Sequence, residues 1–263
     1  MARNLVAPLA LLAVSVLAPA ANAADIKGNA NAADIQGKEM VLPASDHPVK
    51  VEFYRAPGNA KRPTVLMLHG GQGWGGAEGR TENFQHYASE LANHGFDAYM
   101  VSYYSDQDVI DRKANAPGIS VKRFPAWAQE VSDLTADVKK MTDSNGKVGL
   151  VGVSNGGNLS AHATPLDKNI DAAVVYYGGV SRVSGYEAKR FPPMMIFHGE
   201  ADTREPIERG RKLYETVKAL GGPVEFHSYP GINHGFGQNL GTPAADDAFQ
   251  RTLAFLDKTL KGK

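Results

Sequence analysis

The sequence predicts an α/β protein, a mostly parallel sheet covered by helices on both faces. Short continuous apolar runs with β-branched residues, such as TVLMLH at 64–69, read as strands buried on both sides. These runs alternate with longer stretches of helical period, and such alternation builds a parallel sheet through crossover helices. The chain has 263 residues, 43% apolar and 21% charged, as an ordinary globular protein does. No linker-like stretch divides it, so one domain is expected.

The first segment reads as an export signal. Arg3 supplies the positive start, Leu5–Ala21 is apolar but for Ser15, and Ala21-Asn22-Ala23 is a small-x-small cleavage site. ANAADIKGN (21–29) is followed by its near-copy ANAADIQGK (30–38), so cleavage after Ala32 is an alternative to cleavage after Ala23. Residues 24–39 are expected to form a flexible leader and 40–263 the domain. A periplasmic or secreted location follows. The apolar run is short and broken by Pro8 and Pro19, and no later run approaches a span, so no stable membrane anchor is expected.

From Met40 the elements come in order. MVLPASDHPVKVEFYRAPG (40–58) reads as an antiparallel pair ending in a turn. TVLMLHGG (64–71) is the first central strand. A glycine-rich loop leads to a helix at about 80–94, with Phe84, Tyr87, Ala88 and Leu91 on one face. DAYMVSYY (97–104) is the next strand. A polar loop at 105–124, too short for a large lid, precedes a helix at Pro125–Thr142. KVGLVGVS (147–154) is a strand with a helix from Asn155. DAAVVYYGG (171–179), PMMIFHGEAD (193–202) and VEFHSYPG (224–231) are three more strands. Helices are expected at Glu205–Leu220 and Ala244–Leu260.

Charge excludes some functions. There are 28 basic and 28 acidic residues, and removing Met1–Ala23 takes away only Arg3, leaving 27 against 28. Such balance gives no field for nucleic acid. With no cysteine, thiol nucleophiles, thiolate metal sites and disulfides are all excluded.

The polar residues that stand out lie at strand carboxyl ends, where open parallel sheets hold ligands. Gly152-Val153-Ser154-Asn155-Gly156 is G-x-S-x-G between a strand and a helix, a turn that exposes the serine hydroxyl at a helix N-terminus. A hydroxyl is a weak nucleophile at neutral pH and needs a histidine base, which in turn needs a carboxylate to orient it. Asp202 and His234 (in PGINHGF) follow in the expected order, giving Ser154, Asp202 and His234 as the catalytic set. Glu200 is the rival carboxylate, set less far into its loop. The oxyanion of an acyl-transfer intermediate needs two donors. The Asn155 N–H is one, and the loop HGGQGWGG offers Gly71, or Gln72, as the other. Trp74, Tyr103, Tyr104 and Trp127 are candidates for the pocket wall, with core packing as the bland alternative. His47, His86, His94, His162 and His227 read as packed or surface residues, and His69 and His198 as shaping the site. A metal cluster of His69, His198, Asp202 and His234 has no ligand spacing to support it, so neither a metal nor another cofactor is expected.

These motifs, VLMLHGG, GVSNGG, YYGG, FHGEAD and YPGINHGF in that order, resemble the α/β-hydrolase superfamily and, within it, the dienelactone hydrolase-like family. The resemblance implies an eight-stranded sheet, an Asp202–His234 pair, and hydrolysis of an ester or lactone without metal or organic cofactor. Dienelactone hydrolases proper carry cysteine where this chain has Ser154, and glutamate where it has Gly70. The serine points to the family's esterase and peptidase-like relatives. The expectation is an exported serine esterase acting on a small-molecule ester, as a monomer or homodimer. A serine peptidase or amidase is the alternative, and a silent binding protein is a third.

Overall fold

Eight strands lie in one sheet in a computed structural model of the protein, which describes residues 35–74, 80–115, 118–180, 183 and 187–262. In chain order they are β1 (Lys38–Leu42), β2 (Val49–Tyr54), β3 (Arg62–Leu68), β4 (Asp97–Ser102), β5 (Ser144–Val153), β6 (Ala172–Tyr176), β7 (Met194–Gly199) and β8 (Val224–Tyr229). Their order across the sheet is β1-β2-β4-β3-β5-β6-β7-β8. β1 and β2 pair antiparallel, β2 is antiparallel to β4, and the remaining pairs are parallel.

The apolar runs became strands because both of their faces are covered. Leu66, Leu68, Leu150, Val175 and Ile196 pack under α3 (Ile119–Lys140), α4 (Asn155–Ala163) and α5 (Ile207–Ala219). Their neighbours Val65, Met67, Val151, Val174 and Phe197 pack under α1 (Arg80–Asn93) and α6 (Pro243–Leu256). All seven residues of β3 are buried. Burial of both faces at about 25 cal/mol per Å² of apolar area drives this assembly.

The helices depart from expectation at one place. The polar stretch 105–124 is not a loop, since it holds α2 (Asp106–Lys113) and the start of α3, ahead of Pro125. Ser105 caps α2: its Oγ accepts the Asp108 N–H, while Asp108 accepts the Ser105 N–H in return. The helix has no apolar stripe, and Asp108 is its one buried residue, so a period search passes over it.

The fold also starts before residue 40. The Ile35 N–H donates to Ser89 Oγ, and the Ile35 side chain packs on the α1 face of the core. The export signal, the cleavage sites and the leader before residue 35 lie outside the described residues. Among those residues no helix is long and apolar enough to cross a membrane.

Two buried histidines set an acid limit to stability. Burial lowers His69, at the end of β3, from 6.5 to about 4, and does the same to His162 in α4. Between those pH values the unfolded chain takes up protons that the native chain refuses, so stability falls as pH drops from about 6.5 to about 4. Each tenfold loss of proton affinity corresponds to about 1.4 kcal/mol, so protonation of the pair withdraws several kcal/mol. The two histidines' contribution to the melting temperature should therefore be lost over that window and be fully present above it. His162→Asn should flatten part of the slope, and melts unchanged from pH 7 to 4 would contradict the assignment.

Candidate active site

The turn after β5 is built by close approach. A Cβ on Gly152 would stand 2.3 Å from the Gly156 carbonyl oxygen, and one on Gly156 only 2.2 Å from that of Leu68. Glycine is required at both positions for α4 to sit so near β3 and β5. Between them Ser154 has φ 53° and ψ −113°, left-handed backbone that non-glycine residues rarely adopt. Its N–H donates to the Tyr176 carbonyl and its own carbonyl accepts from Asn158, which fixes the turn. The hydroxyl is thereby carried to the carboxyl edge of the sheet.

Asp202 and His234 reach the same point from the two loops that follow β7 and β8. His234 Nδ1 lies 2.7 Å from Asp202 Oδ2, and His234 Nε2 lies 2.9 Å from Ser154 Oγ. A carboxylate only accepts, so Nδ1 carries the proton and Nε2 presents its lone pair to the serine. Asp202 is itself held by its other oxygen, which accepts the Arg204 and Glu205 backbone N–H groups, each at 2.9 Å. The Asp202 side chain is fully buried. Glu200, the rival, points away and accepts from Ser228.

The two loops are stitched together. The Ala201 N–H donates to the Ile232 carbonyl, and Thr203 N–H to Asn233 Oδ1. Gly199 makes this possible, because a Cβ there would lie 2.2 Å from the Ile232 oxygen.

A cleft of about 250 Å³ opens over Ser154, lined by Gly70, Gly71, Gln72, Tyr177, Gln238 and Arg112 among others. Asn155 is the first residue of α4, where a backbone N–H has no partner within the helix. The loop after β3 is braced from both sides. His69 Nδ1 donates to the Gly70 carbonyl at 2.8 Å, and burial keeps this ring neutral. Arg112 Nε donates to the Gly71 carbonyl at 2.9 Å, with Nη1 held by Ser120. A Cβ on Gly71 would meet that guanidinium at 2.4 Å.

The predicted pocket wall is corrected. Trp74, Tyr103, Tyr104 and Trp127 do not line this cleft. They form an aromatic cluster with His69, whose ring stacks on Tyr103 at 3.9 Å. Each polar tip is already committed. Trp127 Nε1 donates to Asp108, Trp74 Nε1 to the Val101 carbonyl, and the Tyr103 hydroxyl to the His69 carbonyl. The Asn155 side-chain amide donates to the hydroxyls of both Tyr103 and Tyr104, at 3.1 and 3.2 Å. These tyrosines position the turn rather than wall the cleft.

Sequence reasoning missed Arg112 and Tyr177. The SDQD capping signal at 105–108 marks the helix that delivers Arg112. Tyr177, with φ 39°, packs its ring 4.6 Å from the His234 imidazole, and no local sequence signal announces it. The conceivable metal cluster at the strand ends does not form among the described residues, where the ligand grouping that does form lies elsewhere.

Comparison with known proteins agrees with this architecture. A Klebsiella pneumoniae protein assigned as a dienelactone hydrolase superposes with a TM-score of 0.69 at 16% identity, over 84% of this chain and 98% of that one. A Pyrobaculum calidifontis esterase gives 0.66 at 19% identity, covering 83% of each chain. Likeness at these identities speaks for the α/β-hydrolase fold. Acyl-protein thioesterase 1 of Gibberella zeae is 38% identical over 77 residues, and that match spans 29% of either protein. The sequence profile of the dienelactone hydrolase family matches residues 52–260, nearly the whole sheet and its helices, and this chain belongs to that family of hydrolases.

Proposed function

We propose that the protein is a serine hydrolase that cleaves carboxylic esters or lactones through an acyl-enzyme on Ser154. The observation that carries this is the unbroken hydrogen-bonded chain from Asp202 through His234 to Ser154, at 2.7 and 2.9 Å. His234 takes the Ser154 proton as the oxygen attacks the acyl carbon, and returns it to the leaving alcohol. Asp202 holds the imidazole in the required tautomer and stabilises its cation. The Asn155 N–H and a donor from Gly71 or Gln72 receive the developing oxyanion, each such donor contributing about 3 kcal/mol to the transition state. Water, activated by the same histidine, then releases the acid.

The cleft, at about 250 Å³, is smaller than the roughly 300–1,000 Å³ typical of drug-sized ligands, which favours short acyl groups. The basic start and apolar run at residues 3–21 support export of the enzyme before it acts.

Fluorophosphonate labelling separates an active serine hydrolase from a silent binding protein, and a panel of p-nitrophenyl esters beside aminoacyl anilides separates esterase from amidase. Stoichiometric labelling at Ser154 is expected, with turnover of acetyl and butyryl esters well above that of long-chain esters and anilides. Absence of labelling in folded protein would overturn the hydrolase reading, and a preference for anilides the ester assignment.

A further inference from the structure

Away from the cleft, the β1–β2 loop and α3 bring three ligating side chains together. Asp46, His47 and Glu130 each offer an atom within 4.8 Å of the others. His47 Nδ1 is 3.4 Å from Asp46 Oδ2 and 3.1 Å from Glu130 Oε1. None of the three lines the cleft over Ser154.

Glu130 is the anomaly. Its side chain is 0% exposed, and although Oε1 stands 3.1 Å from His47 Nδ1, no contact to either carboxylate oxygen has full hydrogen-bond geometry. An ionised carboxylate buried in this state costs several kcal/mol unless a positive partner is supplied. The nearest fixed cation, Arg123, is already engaged by Asp46 and by Asp108. Three carboxylates therefore share one guanidinium.

The spacing suits a metal ion. Ligands bonded to one zinc-class ion at about 2.0–2.2 Å stand roughly 3–3.6 Å apart across an edge of the coordination polyhedron. The two His47 distances fall in that range. One imidazole with two carboxylates and no thiolate is a donor set for a borderline divalent ion, with water filling the remaining position. Asp46 is partly exposed and opens the site to solvent. The loop is also held in place independently, since Ser45 donates through both its N–H and its hydroxyl to Asp133, one turn along α3 from Glu130.

We propose that Asp46, His47 and Glu130 bind a zinc-class divalent cation that clamps the β1–β2 loop onto α3. The ion would act as a structural tie, adding its binding free energy to the folded state. The test uses the full chain, stripped with EDTA and titrated with zinc chloride by calorimetry, with melting temperature followed in parallel. One Zn²⁺ per chain in the micromolar range and a rise of several degrees are expected. His47→Ala, on a partly exposed loop, should weaken binding at least tenfold. Glu130→Gln, which keeps the side-chain shape and removes the carboxylate, should abolish the zinc-dependent rise while the metal-free protein stays folded. No stoichiometric binding, or binding that both variants leave intact, would overturn the site.

Discussion

Ser154→Ala and His234→Ala should each lower kcat by roughly ten-thousand- to million-fold while the circular dichroism spectrum and melting temperature stay near those of the parent. Both substitutions remove atoms at the floor of an open cleft, so little core packing is lost. The informative variant is the double. His234 Nε2 touches only the Ser154 hydroxyl in the relay, so once the hydroxyl is gone the imidazole has no proton to accept. The double variant should therefore be no slower than either single, with the residual rate coming from the oxyanion donors and substrate binding. Single-turnover and steady-state rates on p-nitrophenyl acetate measure this directly. If the double variant loses the product of the two single effects, the three residues do not act as one unit and the proposed relay is wrong.

Gly199→Ala should damage catalysis from a position that touches no substrate. The added methyl would meet the Ile232 carbonyl oxygen at 2.2 Å and its carbon at 2.8 Å, both backbone atoms with no room to yield cheaply. The clash falls on the seam between the Asp202 loop and the His234 loop. Relief requires the loops to part, and a displacement near 1 Å at a reacting group costs about a hundredfold in rate. We expect kcat to fall by about that factor with KM little changed, and stability to fall by about 1–3 kcal/mol from overpacking. Unaltered kcat in a variant of unaltered melting temperature would show that the seam does not set the Asp202–His234 contact.

Much of this was legible in the sequence because it is enforced by steric rules that leave a residue signature. Only glycine fits at 152 and 156, so the serine between them is conspicuous. Strands buried on both faces write themselves as apolar runs, and their carboxyl ends locate Asp202 and His234 at once. The aromatic residues were harder. Periodicity says that Tyr103 and Trp127 are buried, but not what their polar tips will find, and here they found the His69 carbonyl and Asp108 rather than a ligand. Helix α2 was missed for the opposite reason. It buries almost nothing, so its stability rests on the Ser105–Asp108 cap, and the arginine that braces Gly71 was hidden in what reads as a polar connector. The β1 start at Lys38 was obscured by the near-copy of the preceding residues, which made a strand look like part of a tail.

The proposed nucleophile, carboxylate and base come from the ends of β5, β7 and β8, and β8 is one of the two edge strands of the sheet. A chain whose last strand has not yet docked can already have most of its interior dry and its indoles sequestered, and still be chemically inert. On the proposed relay, turnover is thus a gauge of finished topology rather than of compactness, and a fragment ending before the final crossover would carry the Ser154 hydroxyl with no base to take its proton.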